Sequence, residues 1–311
     1  METEDSNQSE NRSFTKVVAI VNGSKKLRSV VKETFAFFEK NPDYQLEIQF
    51  SKYEKHASVL AGEAQTAKAE IVVVAGGDGT FHEVVNGFDY SRPIPKLILM
   101  AAGTGNDFLL GKKQQFSVEK MADCLKKGIW EKNDLIQIQT ENQKHYSLNI
   151  ADIGFGGYVI HLLNKQRKLK ITGKFSYALS ILRAFITFKI PVLRYQFGDT
   201  KIEGKHLMIA ICNGSVFGDG LTINPEAKST DGVLHITTIG NVSVIDYLKQ
   251  LPKLKSATKI VHPEVAYHLC EKGRIEVISG KAYLEADGEI IEIGNQVDFE
   301  IIKKAVEIMI F

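Results

Sequence analysis

The sequence predicts an α/β plus β architecture of two domains: a parallel-sheet α/β domain to about residue 134, then an antiparallel, β-sandwich-like domain. Three observations carry this. Up to residue 134, fully apolar runs alternate with helical stripes, the pattern of βαβ units whose sheet is covered on both faces. Beyond it, short runs alternate apolar and polar residues, as half-exposed antiparallel strands do. Two glycine-rich loops stand directly at the ends of apolar runs, where open α/β sheets take their ligands. A length of 311 residues is also more than one hydrophobic core usually serves.

In chain order, residues 1–13 are polar and largely acidic and read as a loose tail. Residues 17–21 (VVAIV) form a buried strand, and Leu27, Val30, Val31, Thr34, Phe35 and Phe38 then repeat at helical spacing. Residues 47–50 alternate like a short strand, and Ala57, Leu60, Ala61 and Ala64 give a second helical face. Residues 71–75 and 97–100 are further apolar strands. Ser117 is placed to cap a helix through Val118, Met121 and Leu125, with Gly128 just past its end. Strand-like runs follow at 135–140, 145–150, 192–197, 206–211 and 233–238, interrupted by one helix over 175–188. Residues 296–302 and 306–311 close the chain as strands.

Composition narrows the function. Thirty-nine Lys and Arg against 37 Asp and Glu leave a net charge of +2, too balanced for a nucleic-acid binder. Cys124, Cys212 and Cys270 are odd in number and far apart, neither a disulfide framework nor a zinc site, which suits a reducing, cytoplasmic compartment. The longest apolar stretch, 175–193, is broken by Arg183, Lys189 and Pro191 and is too short to span a bilayer, so any membrane contact is expected to be peripheral.

Three motifs carry chemistry. Residues 75–80 (AGGDGT), followed by FHEVVNG to Gly87, lie where a buried strand gives way to a helix. Glycines there let backbone N–H groups approach an anion, and the helix N-terminus adds partial positive charge, so the place suits a phosphate. It matches neither GxGxxG nor the P-loop. Asp78 among phosphates implies a divalent cation or a base. Residues 102–107 (AGTGND) repeat the logic with Thr104 and Asp107. Residues 285–289 (EADGE) read first as a hairpin turn and gain meaning from the other two.

Taken together, GGDGTFHEVVNG at 76–87, GTGNDF at 103–108 and DGE at 287–289 resemble the diacylglycerol kinase catalytic family, which includes bacterial lipid kinases and the sphingosine and ceramide kinases. The likeness runs from about residue 14 to 311, and GGDGT alone is similar to NAD kinases too. The resemblance implies a discontinuous ATP-binding domain, 14–134 with 292–311, a lipid-acceptor domain, 135–291, and an active site in the cleft between them. It implies nucleotide contacts from Asn22, Ser51, Gly76, Gly77, Asp78, Gly79, Thr80, Glu83, Thr104, Gly105, Asn106 and Asp107. It makes Asp287 the base for the acceptor hydroxyl, with Glu289 and Asp78 supporting metal and phosphate, and ATP and Mg²⁺ the required small molecules. It further implies a structural Mg²⁺ loop at 224–233, held by Asp231 and the carbonyls of Lys228 and Val233.

Two places depart from the family pattern. The first loop reads Asn22-Gly-Ser-Lys-Lys26 where the family has Asn-Pro-x-Ser-Gly, and His82 replaces a common Asn. His82 reads as a locally satisfied surface residue, and His145, His206 and His235 as structural. The basic residues Lys165, Arg167, Lys168 and Lys170 read as a solvated face or as a contact for an anionic membrane surface. The expectation is an ATP-dependent lipid kinase, diacylglycerol-like by default. Its rivals are a kinase for a soluble acceptor such as NAD and a non-catalytic nucleotide- or lipid-binding regulator. The expected partners are ATP, a lipid acceptor at the membrane surface and, as a homodimer, a second copy of the chain.

Overall fold

Parallel strands need crossovers, and the first hundred residues supply them. The computed structural model describes every residue except 1–13, 104 and 169–173, and the side chains of all of these but 167, 168, 174 and 175. The order begins β1 (Thr15–Asn22), α1 (Ser29–Lys40), β2 (Tyr44–Ser51), α2 (His56–Thr66), β3 (Ile71–Gly76), α3 (Asp78–Val85), β4 (Lys96–Ala101), α4 (Asp107–Gly111) and α5 (Val118–Lys127). β1 to β4 pair in parallel in the order β2-β1-β3-β4. Side chains alternate across the strands: Val18, Ile20, Val72 and Val74 pack on α2 and α3, while Val17, Ala19, Val21 and Val73 pack on α1. α5 ends as its sequence suggests, with Ser117 Oγ accepting Lys120 N–H at 3.2 Å and Gly128 at φ +65°.

The chain continues through β5 (Glu131–Gln139), β6 (Lys144–Ser147), β7 (Ile150–Gly154), α6 (Phe155–Lys168), α7 (Lys174–Thr187), β8 (Val192–Phe197), β9 (Thr200–Lys205) and β10 (Met208–Cys212). Then come β11 (Val216–Phe217), β12 (Leu221–Thr222), β13 (Leu234–Ile239), α8 (Val244–Lys255), β14 (Val265–Cys270), β15 (Lys272–Ser279), β16 (Leu284–Ala286), β17 (Glu289–Ile291) and β18 (Gln296–Ile308). An antiparallel sheet, β14-β13-β10-β7-β16-β17, faces β5, β8, β15 and β18 across a core of Ile136, Ile153, Tyr195, Ile211, Ile275 and Phe299, which makes this half a β-sandwich.

The helices of the second half were not all foreseen. Among the described residues the sandwich half holds three helices where the sequence suggested one, because α6 and α8 cover the outer face of the antiparallel sheet. β18, within the 292–311 segment that the resemblance assigned to the first domain, pairs with both halves: its first part pairs with β15, its last residue pairs in parallel with β4, and β5 runs along both parts. A register shift between Ile302 and Val306, with Lys304 at φ +54°, bends the strand between these two duties.

Candidate active site

The ends of β3 and β4 lie side by side, and their loops touch backbone to backbone. A Cβ on Gly103 would sit 2.5 Å from Gly77 Cα, so a side chain at either position would part the loops. Asn106, at φ +59°, closes the second loop: its Oδ1 accepts Gly103 N–H at 3.1 Å and its Nδ2 donates to Gly103 O at 3.2 Å. Thr80 tucks against Gly76, and Asn22 Nδ2 donates to Thr80 Oγ1 at 3.2 Å, tying the β1 exit to the start of α3.

This packing brings Asp78 and Asp107 together across Gly105, whose Cβ would lie 3.0 Å from Asp78 Oδ2 and 3.8 Å from Asp107 Oδ2. Asp107 accepts the N–H groups of Asp219 and Gly220 at 3.2 and 3.0 Å. Burial first, then the charge of Asp78, pushes the Asp107 carboxyl up to about 6, and burial likewise raises Asp78. Two desolvated, mutually repelling carboxylates are a donor set that fits a divalent cation. Among the described residues no cluster of three or more His, Cys, Asp or Glu is arranged for a metal, so an ion here would need further oxygens, such as those of a phosphate.

Asp287 and Gly288, at φ +52° and +87°, form the tight turn between β16 and β17. The Asp287 carboxylate accepts five hydrogen bonds: from Ser147 Oγ (2.7 Å), the N–H groups of Leu148 (2.9 Å), Asn149 (3.0 Å) and Ile150 (3.2 Å), and His82 Nδ1 (3.2 Å). His82 is thus buried and pairs with Asp287, not a surface residue as the sequence suggested. A carboxylate so heavily engaged must release a donor before it can take a proton, which sets a condition on the base role that the resemblance implies.

One cavity of about 810 Å³ connects these parts. Asn22, Gly77, Asp78, Gly79, Thr80, Glu83, Gly105, Asp107, Asp287 and Glu289 line its polar end. Gly76, Ser51 and Asn106 do not line it and act through neighbours, Ser51 Oγ accepting Gly23 N–H at 3.4 Å. Glu83 serves mainly to cap α2, accepting the N–H groups of Lys55 and Ala57. Thr104 lies outside the described residues, as do Lys170 and the side chains of Arg167 and Lys168. The 224–233 loop is elsewhere: Asp231 Oδ2 meets His235 Nε2 at 2.9 Å and Oδ1 accepts Val233 N–H at 3.3 Å, while Lys228 borders a small separate cavity. Each Asp231 oxygen keeps a further lone pair, so these contacts orient the carboxylate without closing it to the structural cation that the resemblance implied.

The cavity also has parts that sequence reasoning missed. It runs on between the antiparallel sheet and α6, α7 and α8 as an apolar chamber walled by Val159, Leu163, Ile181, Phe185, Met208 and Leu254. At the neck, Asp152 on β7 stands opposite Glu285 on β16. The signal was present as a lone acid inside the apolar run 150–154.

Two family models match the chain. Residues 16–138 match the diacylglycerol kinase catalytic domain, and residues 149–310 match the YegS C-terminal NAD kinase beta sandwich-like domain. The chain belongs to the YegS-like diacylglycerol kinase family. A relative from Xanthomonas euvesicatoria pv. vesicatoria, "Probable lipid kinase YegS-like", is 26% identical over 199 residues, 63% of this chain and 64% of its own length. The match thus spans under two thirds of that relative. One from Streptococcus pneumoniae serotype 4, "Putative lipid kinase", is 25% identical over 286 residues, 91% of this chain and 90% of its own. Two Bacillus anthracis str. Sterne structures, one described as "a putative diacylglycerol kinase" and one as a diacylglycerol kinase, have TM-scores of 0.74 and 0.68 at 22% and 18% identity, each covering 96% of this chain and 98% and 97% of its own. Yeast NADH kinase complexed with NADH gives 0.52 at 11% identity, over 96% of this chain and 83% of its own. At such identities these likenesses speak for the family fold alone.

Proposed function

We propose that the protein transfers the γ-phosphoryl group of ATP to the hydroxyl of a lipid, diacylglycerol-like in its apolar part. The observation that carries this reading is the continuity of one cavity from the glycine loops to an apolar chamber. Phosphoryl transfer asks mainly for positioning and charge neutralisation. The backbone of residues 77–80 would receive the phosphates at the start of α3. Mg²⁺, carried with the nucleotide and held by Asp78 and Asp107, would offset the phosphate charge. Glu289, with Oε1 beside Gly79, borders the same place. The apolar walls favour an acyl chain over the soluble acceptor NAD.

The acceptor would come from a membrane surface. Among the described residues no helix is long and apolar enough to cross a bilayer. The helices that wall the chamber nevertheless expose apolar side chains on their outer faces: Leu182 and Ile186 on α7, Ile245 and Leu248 on α8. Such a rim beside the chamber suits docking at an interface.

Terminally labelled ATP with Mg²⁺ and a total lipid extract tests the reading. Label should pass to the organic phase, and Asp78→Asn should abolish the transfer. Label passing only to added NAD would overturn the lipid reading in favour of the soluble acceptor.

A further inference from the structure

The turn that leaves β1 departs from the family pattern and sets a cation in the cavity wall. Asn22-Gly-Ser-Lys25 is closed by Lys25 N–H donating to Asn22 O at 3.3 Å. Asn22 Oδ1 accepts Ser24 N–H at 3.0 Å and the Ser24 hydroxyl at 2.7 Å. Both sides of the turn are fixed. Gly23 lies against the end of β2, where a Cβ would come 2.3 Å from Ser51 O, and Asn22 Nδ2 holds Thr80 Oγ1 on α3. β1 pairs in parallel with β3 up to Val21 opposite Ala75, so the turn leaves the sheet beside the glycine loop that opens α3. Lys25 thereby lines the polar end of the cavity while staying exposed, and among the described residues its ammonium has no ion-pair partner.

Among the described residues Lys25 is the only Lys or Arg that lines this cavity, whereas Asp78, Glu83, Asp107, Asp219, Asp287 and Glu289 all border it. Arg28, three residues on, does not line it and sends Nη1 to Ala101 O at 3.1 Å. A triphosphate entering so acidic a wall is repelled. One divalent cation shared by Asp78 and Asp107 cannot balance two carboxylates and a polyphosphate together, and the N-terminus of α3 adds only about half an elementary charge. Lys25 offers the missing positive charge from a turn tied to the phosphate loop itself. Its compact ammonium on a flexible stem suits a polyphosphate, and the Asn-Pro-x-Ser-Gly of the family pattern carries no such charge.

Resting on the kinase reading, we infer that Lys25 binds the triphosphate of the donor nucleotide, a cationic contact that the family pattern lacks at this turn. Its contribution is that of a point charge: greatest at low salt, largely kept by arginine, and lost with a neutral side chain.

The test measures equilibrium binding of adenylyl imidodiphosphate, a non-hydrolysable ATP analogue, in the presence of Mg²⁺. Lys25→Gln should weaken binding about tenfold at low salt, the worth of a hydrogen bond to a charged group. The difference from wild type should shrink as salt rises toward about 1 M, because exposed charges are then screened within about 3 Å. Lys25→Arg should restore most of the affinity. Lys26→Gln, at an exposed position outside the cavity wall, should leave it unchanged. Equal affinity of Lys25→Gln and wild type at low salt overturns the inference, as does a wild type that binds no analogue. A loss of the same size at every salt concentration, or one that Lys25→Arg shares in full, overturns it too, since either marks a merely structural residue. Because binding is read without a lipid, a Lys25-dependent affinity in a protein that phosphorylates no lipid would refute only the kinase reading. Lipid phosphorylation with nucleotide affinity indifferent to Lys25 would refute only the role of this turn.

Discussion

Asp107 shows how a site residue works against the fold that carries it. Its carboxyl, raised to about 6 by burial and by Asp78, binds a proton more readily in the folded chain than in the unfolded one, where the ordinary value is about 4. Between about pH 4 and 6 the folded state therefore holds more protons, and stability falls as pH rises through that window. Above pH 6 the full penalty applies. Asp107→Asn is expected to melt a few degrees above wild type at pH 7.5 in chelator, about 1–2 kcal/mol, with the gain vanishing toward pH 4.5. The gain is held down because the new amide presents a donor to one of the N–H groups of Asp219 and Gly220. Melting curves across pH decide it: a pH-independent difference would show that the charge of Asp107 carries no such cost. At this scale the sequence was uneven. Asp78, Asp107 and Asp287 were legible because glycines mark the turns that present them. His82 was not, since its partner Asp287 is 205 positions away.

Among elements, the two glycine loops depend on each other. Gly103→Ala would place a methyl 2.5 Å from Gly77 Cα, against backbone that cannot rotate away. The expected result is a loss of about 1–3 kcal/mol in stability and at least tenfold weaker binding of a non-hydrolysable ATP analogue. Gly204→Ala, with nothing nearer than His206 Nε2 at 3.7 Å, should do neither. Equal ATP-analogue affinity in both variants would show that loop contact does not shape the nucleotide site. The strands of the parallel sheet were legible because burial on both faces makes them continuous apolar runs. α6 escaped because it follows β7 without a connecting loop and opens with Gly156 and Gly157, poor helix formers that make room for Asp152 and the Tyr283 carbonyl. α8 carries Pro252, which masks its periodicity.

At the scale of the molecule, the chamber and the apolar rim share α7 and α8: Ile181, Phe185, Tyr247 and Leu254 face inward, while Leu182, Ile186 and Leu248 face out. If that rim meets a bilayer, Ile186→Glu with Leu248→Glu should cut co-sedimentation with anionic vesicles at least tenfold, since each apolar side chain inserted contributes about 1.5–3 kcal/mol. Transfer to detergent-dispersed lipid should be largely spared. Unchanged sedimentation would assign the docking elsewhere, with Lys165 and its basic neighbours the next surface to vary. The architecture of two domains was legible from the change of pattern near residue 134, and the resemblance already sent 292–311 back to the first; the pairing of β18 within the sandwich was not legible, because strand pairing over such distances leaves no local trace.

That join bears on how the protein is made. β18 gives Val297, Phe299 and Ile301 to the sandwich core, Val306 and Ile308 to one face of the parallel sheet, and the chain beyond it gives Met309 to the other. Chains commonly fold domain by domain as they leave the ribosome, the amino-terminal part first. Here residues 296–309 must be in place before any of these three cores is whole. Neither half is therefore complete without this segment, and deleting residues 303–309 would spoil the parallel-sheet half as surely as deleting 296–302 would spoil the sandwich.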